Sequence, residues 1–301
     1  GLISVTNLAT SLTGSSPKAF TPMFASGGGA GIIRNSFEPD VLFTRNVGWL
    51  GHGDINGDGR PELLASQFGT ISIFENISTP GTINTGSFAT RIDMSPSLPD
   101  GYVEINATDL DGDGKQDVFF AYRDNPDQGR IGVLRNTHTS GLISSGSFAV
   151  PQEFNIPPYT ASAASAADLD GDGRPELVSW GSSCGANPIY ILQNLSTVGD
   201  IKFAAAVSLP GSNSCGGRYV LMDLDLDGKI DIIETAASVT RVVRNISTPG
   251  NLNFEAGFEL NDGGITGAVG DVDNDGRPDI IFASGGMKIY KNVSSPGTLA
   301  L

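Results

Sequence analysis

Basic residues, histidine, cysteine and long apolar runs are all scarce in this chain, and each shortage removes a class of function. Only 18 of 301 residues are Lys or Arg, against 33 Asp or Glu, for a formal charge of −15. A nucleic-acid partner requires the reverse, a basic footprint laid over phosphates. No apolar run reaches the roughly 18 residues of a membrane-spanning helix. No signal peptide opens the chain at Gly1, as expected of a mature or trimmed polypeptide. The two histidines, His52 and His138, stand 86 positions apart. No Gly-x-Ser-x-Gly elbow, His-Glu-x-x-His pair or nucleotide-binding glycine loop accompanies them, so the chain reads as a non-enzyme. The two cysteines, Cys184 and Cys215, occupy similar Ser-Cys-Gly settings and lack the Cys-x-x-Cys spacing of zinc or redox sites. They are expected to form a loop-to-loop disulfide, which would imply an oxidising, extracellular compartment; two buried free thiols are the alternative.

Glycine is abundant, with 40 copies spread along the chain beside 17 prolines. Such a distribution suits many short strands joined by tight turns. The alanine-rich stretch 160–167 is too short for a helix, and no other interval offers one. The decisive pattern is an internal repeat. Asp54-Ile-Asn56-Gly-Asp58-Gly-Arg60-Pro-Glu62 recurs from Asp109, Asp168, Asp223 and Asp271, at intervals of 55, 59, 55 and 48 residues. Each copy runs into a short apolar stretch such as Val118-Phe119-Phe120. A glycine-containing turn and a second apolar stretch follow, ending in asparagine, as in Ile289-Tyr290-Lys291-Asn292. About four short strands per unit, repeated every 50 or so residues, predict the blades of an all-β propeller.

The segment 1–35 reads as a degenerate copy. Phe24-Ala25-Ser26-Gly27-Gly28 echoes Phe282-Ala283-Ser284-Gly285-Gly286, but Gly14-Ser15-Ser16-Pro17-Lys18 stands where the acidic loop belongs. One domain over 1–301 is expected, with six blades of which five, over about 36–301, carry acidic loops; seven blades is the alternative. A strand near 3–8 is expected to complete the last blade and close the ring.

The five loops hold 19 of the 33 acidic residues. A hard cation such as calcium takes six to eight oxygens, and a nine-residue loop supplies them from positions 1, 3, 5 and 9 and from the carbonyl of position 7. The first loop offers Asp54, Asn56, Asp58, the Arg60 carbonyl and Glu62. The second offers Asp109, Asp111, Asp113, Lys115 and Asp117, and the third Asp168, Asp170, Asp172, Arg174 and Glu176. The fourth and fifth offer Asp223, Asp225, Asp227, Lys229 and Asp231, then Asp271, Asp273, Asp275, Arg277 and Asp279. About five divalent ions would bring the net charge from −15 to about −5. An EF-hand begins alike but needs a bidentate glutamate at position 12 and flanking helices. Here position 12 is Ala65, Phe120, Ser179, Glu234 and Phe282.

These Asp-x-Asp-x-Asp-Gly-x-x-Asp/Glu loops resemble the FG-GAP/VCBS repeat family, which includes the propeller of integrin α subunits and repeats in secreted bacterial proteins. The resemblance implies a propeller with calcium in the turn between the first and second strands of a blade, and it implies binding or adhesion. Leu226, at a position otherwise small or polar, departs from the pattern. The sequons at Asn76, Asn194, Asn245 and Asn292 recur at one repeat position and read as turn chemistry.

With calcium turns on one face, the opposite face holds the irregular loops. Trp49, Tyr122, Arg123, Tyr159, Trp180, Asn187, Arg218 and Tyr219 are its candidate ligand residues, aromatic platforms beside polar groups that suit a glycan or a peptide. Three functions stay open: a secreted lectin or adhesion module for an extracellular glycan or protein; a non-catalytic structural or targeting domain of a larger secreted protein; and a glycan-active enzyme.

Overall fold

The apolar runs that follow the acidic loops are short and rich in Val, Ile and Phe, a composition that favours pleated strands over helices. The structure, a computed structural model, describes residues 4–7, 12–15, 48–67, 69–94, 104–124, 128–157, 163–180, 189–209, 218–235, 239–260, 267–283 and 286–301. Strands β1 (Ser4–Asn7) and β2 (Leu12–Ser15) pair with each other. The first acidic loop joins β3 (Trp49–Gly53) to β4 (Glu62–Gln67), and β5 (Thr70–Phe74) and β6 (Ile92–Met94) complete that sheet. The second sheet is β7 (Glu104–Thr108), β8 (Asp117–Asp124), β9 (Gln128–Leu134) and β10 (Gln152–Ile156). The third is β11 (Ala163–Ala167), β12 (Glu176–Trp180), β13 (Tyr190–Leu192) and β14 (Val207–Ser208). The fourth is β15 (Arg218–Met222), β16 (Asp231–Thr235), β17 (Thr240–Val243) and β18 (Phe258–Leu260). The last is β19 (Gly267–Gly270), β20 (Asp279–Ala283) and β21 (Met287–Tyr290). One three-residue 3-10 turn at Ser145–Ser147 is the only helix among the described residues.

Every sheet is antiparallel with strands in chain order, and the register repeats. The last residue of each first strand faces the carboxylate that ends the loop: Gly53 with Glu62, Thr108 with Asp117, Ala167 with Glu176, Met222 with Asp231 and Gly270 with Asp279. The buried apolar residues fall into four clusters, and each cluster is shared by two consecutive sheets. Leu64 and Ile73 meet Ile105 and Phe120. Phe119 and Ile131 meet Leu177 and Leu192, Val178 and Ile191 meet Ile232 and Val243, and Ile233 and Val242 meet Ile280 and Phe282. A small sheet with two apolar faces can bury both only between neighbours, which is the logic of a propeller-like array.

First strands approach closely along this array. A Cβ added at Gly51 would lie 2.3 Å from the carbonyl oxygen of Ile105 on β7. Because that obstacle is backbone, Gly51→Ala is expected to wedge the first and second sheets apart, at a cost of about 1–3 kcal/mol. Urea unfolding of the variant measures this, and an unchanged midpoint would show the strands have room to separate.

The expected closing strand behaves otherwise. Its residues Ser4–Asn7 form β1, which among the described residues pairs with β2. Most of the degenerate unit at 1–35 lies outside the described residues, as do Tyr159, Asn187, Cys184, Cys215 and the side chain of Arg218.

Candidate metal centres and the links between sheets

Each acidic loop is wound around its own carboxylates. The position-1 carboxylate accepts from the amide of position 6, at 2.9 Å from Gly59, 2.8 Å from Gly114, 3.0 Å from Gly173, 2.9 Å from Gly228 and 2.8 Å from Gly276. These glycines all have positive φ, between 85° and 91°, a region open to glycine at no steric cost. The position-3 oxygen accepts from the position-5 amide, and the position-5 carboxylate from the position-7 amide, in every copy. The closing carboxylate reaches back to the amide of position 2, at 2.6 Å for Glu62, 3.0 Å for Asp117, 2.7 Å for Glu176, 3.0 Å for Asp231 and 3.1 Å for Asp279. Leu226 takes φ 59° at position 4, where the first, second and third loops have glycine; this left-handed backbone costs a leucine about 1–2 kcal/mol.

The carboxylates of positions 1, 3 and 9 converge. In the loops starting at Asp109, Asp168, Asp223 and Asp271, one oxygen from each lies within 4.8 Å of the others. The first loop forms no such triad of acids because Asn56 stands at position 3. All five closing carboxylates are at most 1 % exposed. Burial pushes Glu62, Asp117, Glu176 and Asp231 up to about 7, with the nearby acids of the same loop adding to the shift. Among the described residues no basic side chain pairs with them. Converging carboxylate oxygens around a buried closing acid could hold a hard metal ion. The Arg60, Arg174, Lys115 and Arg277 side chains fold back onto the position-5 carboxylates Asp58, Asp172, Asp113 and Asp275. They leave the inner oxygens to the loop.

The FG-GAP-like repeat profile matches residues 54–120, 109–179, 168–234 and 223–282, each match running from one acidic loop through the next. This chain belongs to the FG-GAP-like repeat family. No curated protein matches it in sequence. Its fold is similar to that of an Agrocybe aegerita lectin that recognises non-reducing terminal N-acetylglucosamine. The two are 18 % identical with a TM-score of 0.54 over 83 % of this chain and 64 % of the lectin chain. It is also similar to the exotype rhamnogalacturonan lyase YesX, at 17 % identity and a TM-score of 0.52, over 84 % of this chain and 48 % of the lyase. The chain therefore spans less than two thirds of either protein, and at such identity the likeness is one of fold.

Two features of the FG-GAP-like repeats join one sheet to the next. Position 2 of each loop is apolar: Ile55, Leu110, Leu169, Leu224 and Val272. The first four are buried, each in the cluster shared with the following sheet. Val272, which has no following sheet among the described residues, is 51 % exposed. The second feature is the repeated asparagine. Asn136 Nδ2 donates to the carbonyl of Ile55 at 2.7 Å, Asn194 to Leu110 at 2.9 Å, Asn245 to Leu169 at 2.7 Å and Asn292 to Leu224 at 2.7 Å. Each therefore grips the loop of the preceding sheet. The same side chains also donate to the carbonyl before their own closing carboxylate, and accept from the amide two residues on. Asn194, Asn245 and Asn292 are at most 1 % exposed, so these sequons are structural in the folded chain.

The aromatic ligand candidates fare differently. Tyr122 is 4 % exposed, packs on Phe120 and donates its hydroxyl to Glu153 Oε1 at 2.6 Å. It stands two residues from Phe120 on one strand, and alternation puts both rings on the same inward face. Tyr219 donates to the Val178 carbonyl at 2.8 Å and, like Trp180, packs against the third apolar cluster. Trp49 and Arg123 are half-buried. Tyr122 is thus a packing side chain, while Trp180 and Tyr219 are half-buried at the edge of the third apolar cluster. A concave site does form elsewhere, between β17–β18 and the turn at 297–299. This groove of about 190 Å³ is lined by Val242, Arg244, Glu255, Phe258 and Thr298, among others.

Proposed function

We propose that this chain is a secreted, calcium-stabilised propeller, one domain of six blades over 1–301, that binds glycans and does no catalysis. The all-oxygen donor sets of the loops and the family's association with calcium support that ion over magnesium, which keeps strict octahedra and its own waters. About five ions per chain are expected, with the Asn56 loop included. The side chains at positions 1, 3, 5 and 9 and the carbonyls of Arg60, Lys115, Arg174, Lys229 and Arg277 would hold them. Bound calcium would neutralise the converging carboxylates and so fix the turns that join the sheets.

The observation that carries the binding role is the groove beside the fourth loop. Phe258 is 38 % exposed there, and the Glu255 carboxylate is held in place by Arg244 Nη1 at 3.1 Å. An apolar ring beside a fixed acceptor is how a sugar's C–H face and hydroxyls are recognised together. The small volume suits a terminal sugar better than an extended chain. The fold shared with a lectin supports the same reading. The fold is shared with a lyase too, but His138 is buried against Ser147 and 19 of the 33 acidic residues belong to the loops. A glycan array probed with the calcium-loaded protein, with terminal N-acetylglucosamine among its ligands, tests the proposal. Phe258→Ala is expected to weaken binding about tenfold or more, as for a central aromatic contact. Undiminished binding by that variant would move the site away from the groove. Silence across the array would favour a non-catalytic structural domain of a larger secreted protein.

A further inference from the structure

One position in each repeat, the residue just before the linking asparagine, touches the metal loop and differs in charge from copy to copy. In the third repeat it is neutral: Gln193 Nε2 donates to Asp170 Oδ2 at 3.1 Å. In the second it is Arg135, whose Nη1 stays 3.9 Å from Asp111 Oδ2. In the fourth it is Arg244, which engages two loop carboxylates at once, Nε to Asp225 Oδ2 at 2.6 Å and Nη2 to Asp227 Oδ2 at 2.6 Å. In the fifth it is Lys291, paired with Asp273 and lying 3.2 Å from Asp275. The first repeat reverses the pattern. Asn56 replaces the acid at position 3, and the residue before Asn76 is Glu75, which accepts from Asn56 Nδ2 at 3.2 Å.

Glu75 also takes over a structural duty. In the second and third loops, the position-3 Oδ2 accepts from a turn glycine of the next sheet, Gly199 to Asp111 at 2.9 Å and Gly250 to Asp170 at 3.1 Å. In the first loop, Glu75 Oε2 accepts the corresponding bond from Ile143, at 2.9 Å. The charge missing at position 3 has moved to its neighbour, and the link between sheets is kept. In all five repeats the position therefore faces the loop's position-3 side chain.

We propose that this position sets the order in which the loops fill, with Arg244 and Lys291 acting as built-in cations that lower the affinity of the fourth and fifth loops for calcium. The inference rests on the calcium reading above. The guanidinium of Arg244 is placed among loop oxygens, with its side chain 14 % exposed and the Asp225 side chain fully buried. A fixed positive charge there repels an incoming cation and occupies lone pairs that would otherwise be shared with it. Lys291 is 55 % exposed and screened by water, so its effect is smaller. The third loop, which has the neutral Gln193 at this position and whose Arg174 pairs only with the outer oxygen of Asp172, binds tightest. Without metal the same basic groups hold their loops closed, so the fourth and fifth loops lose the ion with less disruption than the third.

Two opposed variants test this by calorimetric titration of the metal-stripped whole chain with calcium. The wild type is expected to show a tight and a weak class of sites. Arg244→Gln, which puts the third repeat's residue in the fourth, is expected to tighten one weak site about tenfold or more. Gln193→Arg is expected to weaken one tight site by a similar factor. Melting supplies an independent readout. Arg244→Gln is expected to melt lower than wild type in chelator and to gain more from calcium, whereas a merely structural loss would lower both curves alike. Site classes unchanged by both variants would overturn the proposal while leaving the calcium reading intact. Absence of any calcium binding would remove the calcium reading, and this proposal with it.

Discussion

Chelating the metal is expected to lower the melting temperature by about 20 °C or more, since several binding sites contribute to one folding equilibrium. A site held a thousandfold above its Kd adds about 4 kcal/mol, and even half of that at each of five loops exceeds what many domains have in total. Four loops bring three carboxylate oxygens within 4.8 Å of one another, so an empty loop repels itself. The pH dependence carries a sign that separates this account from general acid sensitivity. Glu62, Asp117, Glu176 and Asp231 are raised by burial to about 7 in the folded chain, from ordinary values of 4.5 for Glu and 3.8 for Asp. Between those limits the metal-free folded state binds more protons than the unfolded chain. Stability of the chelated protein therefore falls as pH rises from about 4 to about 7. Bound calcium keeps the same groups ionised, and protons compete with it, so the loaded protein loses stability on acidification. The gap between loaded and chelated melting curves should narrow from pH 8 to pH 5. A gap that stays constant or widens, or the absence of metal in elemental analysis, would contradict the assignment.

The loops were legible in the sequence because their chemistry is local. Nine residues contain the donors, the glycine turn and the closing acid, and a fixed spacing of aspartates reveals all three. The strands were equally legible, since each loop leads into an apolar run. What escaped the sequence reading is the contact between units. Asn136 finds its acceptor 81 residues earlier and Asn194 finds its own 84 earlier, and no pattern within one repeat names a partner in another. Reading the sequon asparagines as turn chemistry captured one bond of each, those to the amides of Ser78, Ser196, Ser247 and Ser294. A signal for the bonds between sheets was present at position 2. An apolar residue inside an acidic, solvent-facing loop, repeated five times, points to burial against something outside the loop, as four of the five show. Tyr122 failed in the opposite direction. It was read by its place near a long turn, whereas its phase with Phe120 along β8 decides where the ring goes.

Asn245→Ala is expected to destabilise the calcium-loaded protein by about 3–5 kcal/mol, as two buried carbonyls and one amide lose their partner together. The side chain donates to Leu169 at 2.7 Å and to Ile230 at 2.9 Å and accepts from the Ser247 amide at 2.9 Å, with no exposure to water that could replace these bonds. Asn245→Asp separates hydrogen bonding from packing. It keeps the volume and the acceptor but offers no donor to either carbonyl, and adds a charge beside Asp231, so it should be at least as damaging as alanine. Asn76 is the internal control. It is half-buried, and among the described residues its side chain bonds only the Pro61 carbonyl and the Ser78 amide, both in its own repeat. Asn76→Ala should therefore cost about 1–2 kcal/mol. Urea unfolding in excess calcium compares the three variants directly, and equal losses at 76 and 245 would show that the bond to the preceding sheet adds nothing. The loss at 245 should also reach the neighbouring metal loop. Leu169, whose carbonyl is released, donates its amide to Glu176 at 2.7 Å, so the third loop is fastened on one side by its own acid and on the other by the next sheet's asparagine. Freed on that second side, the loop starting at Asp168 should bind calcium more weakly although none of its own ligands has changed.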